Sequence, residues 1–131
     1  MRKRANVLLA VALSTLAAGA AAASFATQTT SDSGVIVKVT PKALDGNGQD
    51  FEVVLETHAS ELDDDLARSA TLTVDGGTPQ APIEWRGDPP GGHHRQGILR
   101  FNGTTPTPAS IELRIVRAGE SAPRVFHWRL R

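Results

Sequence analysis

A chain of 131 residues with 14 basic and 14 acidic side chains and no cysteine has room for one small domain and cannot use disulfides as staples. Its neutrality is only formal. Arg2, Lys3 and Arg4 hold three of the cations, so the chain beyond residue 26 carries 11 basic groups against 14 acidic ones. An acidic surface excludes nucleic acid and anionic membrane as main partners. The single Met at position 1 and the absence of Cys remove the soft ligands that select Cu(I).

The N-terminus reads as an export signal. A basic start is followed by an apolar, alanine-rich run from Val7 to Ala23. Small residues then offer cleavage after Ala23, with Ala21 at −3, or after Ala26, with Ser24 at −3. This is the layout of a secretory signal peptide. An uncleaved anchor is the alternative, since Ala5 to Ala26 reaches the roughly 20 residues that span a bilayer. Ala, Ser, Thr and Gly fill most of it, so cleavage is the favoured reading. The expected layout is a signal peptide over 1–26, a flexible polar tail over 27–33 and one domain over 34–131. The product is then periplasmic or extracellular, with no membrane span after cleavage.

Beyond the tail, apolar residues recur at every second position, which is the strand period. "GVIVKVT" (34–40) aligns Val35, Val37 and Val39, and "FEVVLET" (51–57) aligns Phe51, Val53 and Leu55. "SATLTVD" (69–75) points Ala70, Leu72 and Val74 one way, and "PIEWR" (82–86) offers Ile83 and Trp85. "QGILRF" (96–101) offers Leu99 and Phe101, and "SIELRIVR" (110–117) offers Ile111, Leu113 and Ile115. "PRVFHWRL" (123–130) offers Phe126, Trp128 and Leu130, with His127 outside. About seven short strands separated by Gly, Pro, Asn and Asp predict an all-β chain. The specific expectation is an immunoglobulin-like antiparallel β-sandwich, with a small closed barrel as the alternative.

One stretch departs from the period: "THASELDDDLARS" (57–69). Ser60 followed by Asp63 fits a helix start, and Leu62 and Leu66 would share one face of a single turn. The expectation is a short helical crossover between sheets, with leucines inward and Asp63, Asp64 and Asp65 in water.

Two stretches, "THASELDDDLARSATL" and "WRGDPPGGHHRQGILRF", resemble a family of small secreted bacterial and archaeal proteins. Their shared pattern is TH…LDDDL with GGHHR.G.L.F. The resemblance runs over most of the chain from Val35 to Leu130. It implies one β-sandwich domain behind a signal peptide and implies no reaction. More loosely, a small exported sandwich carrying histidines looks like the copper-resistance CopC type. The histidine that marks the mature N-terminus of that type is missing here.

The candidate chemistry lies in two segments. His93 and His94 follow Gly91 and Gly92 and precede Arg95. Neighbouring side chains of an extended segment point to opposite faces, so the pair cannot easily share one metal. The plainer reading is that one histidine fills a polar slot beneath the loop. His58 closes the second predicted strand. In a seven-strand sandwich the links after strands two and four fall at the same end, so His58 should approach His93 or His94. Two or three imidazoles with Asp63 or Asp65 would suit Zn(II) or Cu(II). The plainer reading of His58 is a strand-end histidine in water. No G-x-S-x-G, H-E-x-x-H or phosphate loop is present, and nothing nominates a nucleophile. Two expectations follow. The first is a non-enzymatic binding module that meets an envelope or secreted protein through loops 57–69 and 87–96, with Gly91, Gly92 and Arg95 in the contact. The second is a periplasmic metal-binding protein using His58, His93 and His94.

Overall fold

The computed structural model describes residues 25–131. The signal-peptide reading of the first 24 residues lies outside the described residues. Eight strands and one short helix follow in chain order: β1 (Gln28–Asp32), β2 (Val35–Asp45), β3 (Gly48–Thr57), α1 (Leu66–Ser69), β4 (Ala70–Val74), β5 (Glu84–Gly87), β6 (His94–Phe101), β7 (Ser110–Ile115) and β8 (Arg124–Arg129). They form two antiparallel sheets, β1-β2-β3-β6-β5 and β4-β7-β8. Without β1, the orders β2-β3-β6-β5 and β4-β7-β8 are those of an immunoglobulin constant-type sandwich. The fold is therefore the expected all-β sandwich, with one strand added at the edge of the larger sheet. Among the described residues no helix is long and apolar enough to cross a membrane.

The inward phases explain the core. Val35, Val37 and Val39 of β2, and Phe51, Val53 and Leu55 of β3, are buried. They face Ile111, Leu113 and Ile115 of β7 and Phe126 and Trp128 of β8. Aromatic rings occupy the middle. Phe51 meets the edge of Phe101 with centroids 5.8 Å apart, and it lies 5.8 Å from Trp128. Such pairs add about 0.5–1.5 kcal/mol beyond area burial. No cysteine and no tryptophan stand on β4, so aromatic contacts from β3, β6 and β8 fill the place that a disulfide and its tryptophan take in antibody domains.

Three expectations are corrected. Residues 27–33 are not a tail: β1 pairs with β2 from Gln28↔Val39 to Asp32↔Val35. Ser33 and Gly34 make the two-residue turn with φ of 52° and 77°, the positive values that match strand twist in a tight hairpin. β1 buries no side chain and shows no apolar alternation, which is why the period misses it. The helix begins at Leu66, with Asp65 as its cap residue and no side-chain capping bond. Ser60 therefore plays no part in it, although Leu62 and Leu66 both enter the core. Ile83 falls before β5 and is 54% exposed.

Trp85 keeps its predicted phase but is only half-buried. Its indole lies across the paired glycines Gly87 and Gly97. A Cβ on Gly97 would come within 2.7 Å of the Trp85 ring and 2.6 Å of the Gly87 Cα. The two glycines are thus required for this close approach.

Trp128 is the anchor of the core, 5% exposed. Truncation to Ala leaves a large cavity and is expected to cost roughly 3–5 kcal/mol, a large share of the roughly 5–15 kcal/mol that holds a small domain. Thermal or denaturant unfolding checks this, and a Trp128→Ala curve matching that of the parent would contradict the packing.

Candidate functional site

One end of the sandwich gathers the β1–β2 turn, the crossover 58–65, the loop 88–93 and the loop 116–123. Their backbones interlock. Thr57 N–H donates to the His93 carbonyl at 3.0 Å, Leu62 N–H to Gly92 at 3.0 Å, and Gly91 N–H to Leu62 at 2.9 Å. The stretch "PPGGHHR" is therefore a loop that clasps the crossover. Gly91 and Gly92 take φ of 115° and 72° to do so, a region that favours glycine. The two connections meet at the same end, as strand counting predicts.

The histidines come together only loosely. His58, His93 and His94 line one pocket with Glu56, Thr57 and Ile36. All three imidazoles belong to exposed residues, so neither His93 nor His94 fills a polar slot beneath the loop. His94 Nδ1 stands 3.6 Å from Glu56 Oε1. Asp63 and Asp65 line a different cavity, which removes the carboxylates from the expected ligand set. Among the described residues no group of three His, Asp or Glu side chains is placed to hold a metal ion. His127 faces solvent, as its phase predicts.

Arg95 is not a contact residue. It is 1% exposed and points under the loops. Its guanidinium donates to the carbonyls of Leu62 (3.3 Å), Asp64 (2.6 Å) and Asp88 (3.2 Å). It also lies 5.7 Å from the centre of the Trp85 ring, a favourable place for a cation. One arginine fork thus fixes both the crossover and the 88–93 loop from below. A lysine, with a single point charge, cannot span three carbonyls in this way.

Two further arginines complete the bracing. Arg117 forms a two-point pair with Asp64, Nε to Oδ2 at 3.0 Å and Nη2 to Oδ1 at 3.0 Å. Its Nη1 donates to Glu120 Oε2 at 2.8 Å. Glu120 also accepts a fork from Arg124, at 2.7 and 2.8 Å. Arg124 then reaches the β1–β2 hairpin, donating to Thr30 Oγ1 (2.8 Å) and to the Asp32 carbonyl (2.9 Å). The side chains of Asp64, Glu120 and Arg124 are 5%, 3% and 3% exposed. Bidentate Arg–carboxylate pairs of this kind are the strong members of their class. The hydrogen bond from Arg124 holds the Glu120 carboxyl below the ordinary glutamate value against the opposing effect of burial, and Arg117 adds to it. For Arg117, burial works against the charge, but hydrogen bonds to Asp64 and Glu120 outweigh it and raise its pKa.

Above this network opens a cavity of about 530 Å³. Its rim includes Ser60, Glu61, Asp63, Asp65, Arg68 and Gly119. Arg117 is committed to Asp64 and Glu120, and Arg68 meets Asp65 in an exposed contact at 3.6 Å, which is a weak bond. Glu61 and Asp63 have no ion-pair partner among the described residues. The opening is therefore acidic. Three serines, Ser33, Ser60 and Ser69, line it. Among the described residues none of them bonds a histidine.

Asp64, Arg95, Arg117, Glu120 and Arg124 are the residues that organise this end. Sequence reasoning passed over Arg117, Glu120 and Arg124, misassigned Arg95, and placed Asp64 in water, whereas its side chain is buried against Arg117. One signal was available. Arg124 shares the inward phase of Phe126 and Trp128, and Arg95 that of Leu99 and Phe101. A charge in the apolar phase at a strand end marks a buried, partnered group.

Removing one member of a buried ion network leaves the others uncompensated, at a cost of about 3–5 kcal/mol. Glu120→Gln should lose about that much stability at pH 7. The folded-state pKa of Glu120 lies below its unfolded value, so its contribution is complete above the unfolded value near 4.3. It is lost as pH falls through the folded value. Urea titrations across pH should show wild type and Glu120→Gln converging only on the acid side. A constant gap at all pH values would contradict the assignment. Comparison with family models, with curated proteins and with solved structures gives no match to this chain.

Proposed function

We propose that this chain is an exported, non-catalytic binding module that meets an envelope or secreted protein through its braced end. The observation that carries this reading is the cavity of about 530 Å³ set between loops that Arg95, Arg117 and Arg124 hold from beneath. Ligand-sized clefts run to about 300–1,000 Å³, and loops fixed on a rigid scaffold commonly carry recognition. Prefixed loops lose little conformational freedom on binding, which favours affinity. The acidic rim, where Glu61 and Asp63 have no ion-pair partner among the described residues, suits a partner that presents cationic groups. The basic N-terminal start and alanine-rich run support export, as does the resemblance of the two quoted stretches to secreted sandwich proteins.

The test is site-specific photocrosslinking in the producing cell. A photoreactive residue at position 61 or 68 should trap one defined partner. The same residue at position 127, on the outer face of β8, should trap none. Equal trapping at all three positions, or none at any, would contradict the reading.

The metal reading keeps one supporting observation, the sharing of a pocket by His58, His93, His94 and Glu56. Because no three ligand groups among the described residues are placed to hold a metal there, Zn(II) and Cu(II) are expected to bind more weakly than micromolar in calorimetry at pH 7.5. Sub-micromolar one-to-one binding that disappears in His94→Ala would establish the metal reading instead.

A further inference from the structure

We propose that export processing cuts this chain after Ala23, so that the mature protein begins at Ser24 and keeps Phe25 and Ala26 as parts of its fold. This rests on the export reading above and sharpens it. The sequence offers two cuts, after Ala23 and after Ala26. They differ by three residues, and the fold uses two of the three.

Phe25 packs against the core as a partly buried side chain. It closes a pocket at the end opposite the arginine network, together with Pro41, Leu44 and Leu130. Leu44 and Leu130 are likewise partly buried against the core, so Phe25 belongs to the apolar layer that closes this end. Ala26 contributes through its backbone. Its carbonyl accepts the indole N–H of Trp128 at 2.9 Å. Trp128 is 5% exposed, and this is the hydrogen bond the structure gives its indole nitrogen.

A cut after Ala26 would remove the ring and the carbonyl together. It would leave the Trp128 donor without its partner, which carries a desolvation penalty, and remove a ring that packs against the core. It would also place a new ammonium at Thr27, directly before the strand that closes the sandwich edge. A cut after Ala23 leaves every one of these contacts in place. The small residues at Ala21 and Ala23 also match the A-x-A pattern of a signal-peptide cleavage site, whereas the alternative has Ser24 and Ala26.

The experiment expresses the full 131-residue chain in a bacterial host. The product from the extracytoplasmic fraction is examined by intact mass and N-terminal peptide mapping. An N-terminus at Ser24 is expected. An N-terminus at Thr27 would overturn the inference while leaving export intact. A full-length chain held in the membrane fraction would overturn the export reading itself and the inference with it. A second measurement separates processing from folding. The exported Phe25→Ala protein should melt about 5 °C or more below the parent, as expected for losing a partly buried ring in a domain of this size. An unchanged midpoint would show that Phe25 has no structural seat and would overturn the claim that the fold uses it.

Discussion

The chain of side chains Asp64–Arg117–Glu120–Arg124 is the constraint on which this end of the molecule depends. The members come from three stretches: Asp64 from the crossover, Arg117 and Glu120 from the β7–β8 loop, and Arg124 from the start of β8. Arg124 extends the chain to the β1–β2 hairpin through backbone carbonyls. Taking these charges out of water is costly, and a buried pair is not by itself evidence of stability. What such a network supplies is position. Its forks have few alternative geometries, so loops with little apolar content of their own are held in one arrangement. Arg95 does the same for the 88–93 loop with carbonyls alone.

The same economy appears at the edges of the sheets. β1 has no buried side chain, yet it covers the gap between the larger sheet and β8. Gln28 does this by imitating a strand. Its amide Nε2 donates to the His127 carbonyl, and its Oε1 accepts from the His127 N–H. Together with the Arg124 contacts to Thr30, it covers a backbone edge that would otherwise be open to pairing with another chain. On the opposite side, Gln80 exchanges two backbone hydrogen bonds with Leu72 of β4. Both edges of the smaller sheet are thus protected without lengthening any strand.

The sandwich was legible because antiparallel strands with one wet face write their phase into the sequence. Seven of the eight strands follow from alternation, and strand counting correctly brings loops 57–69 and 87–96 to one end. β1 was not legible: a strand held by polar side chains and a Ser-Gly turn has no apolar phase to read. The candidate site failed for a related reason. Histidines and aspartates invite a metal interpretation, while the buried arginines that set the geometry look like surface charges in sequence. Three adjacent aspartates take different roles because the chain turns between them. Asp64 goes in to Arg117, while Asp63 and Asp65 stay out. Only pairing across 53 residues distinguishes them, and a local pattern cannot carry that information.

The ladder registers also fix a polarity. Residues 25–27 and Leu130 lie beside the β2–β3 turn at 45–48, and the cavity lies at the other end of β2, an 11-residue strand that spans roughly 35 Å. Both termini of the described chain therefore leave from the far end. Any tether, tag or neighbouring domain joined at either terminus would trail behind the cavity and leave its mouth clear. On a surface, the domain would stand like a post, with its footing at the termini and its acidic mouth turned outward. Immobilisation through either terminus should thus present the cavity in the same orientation.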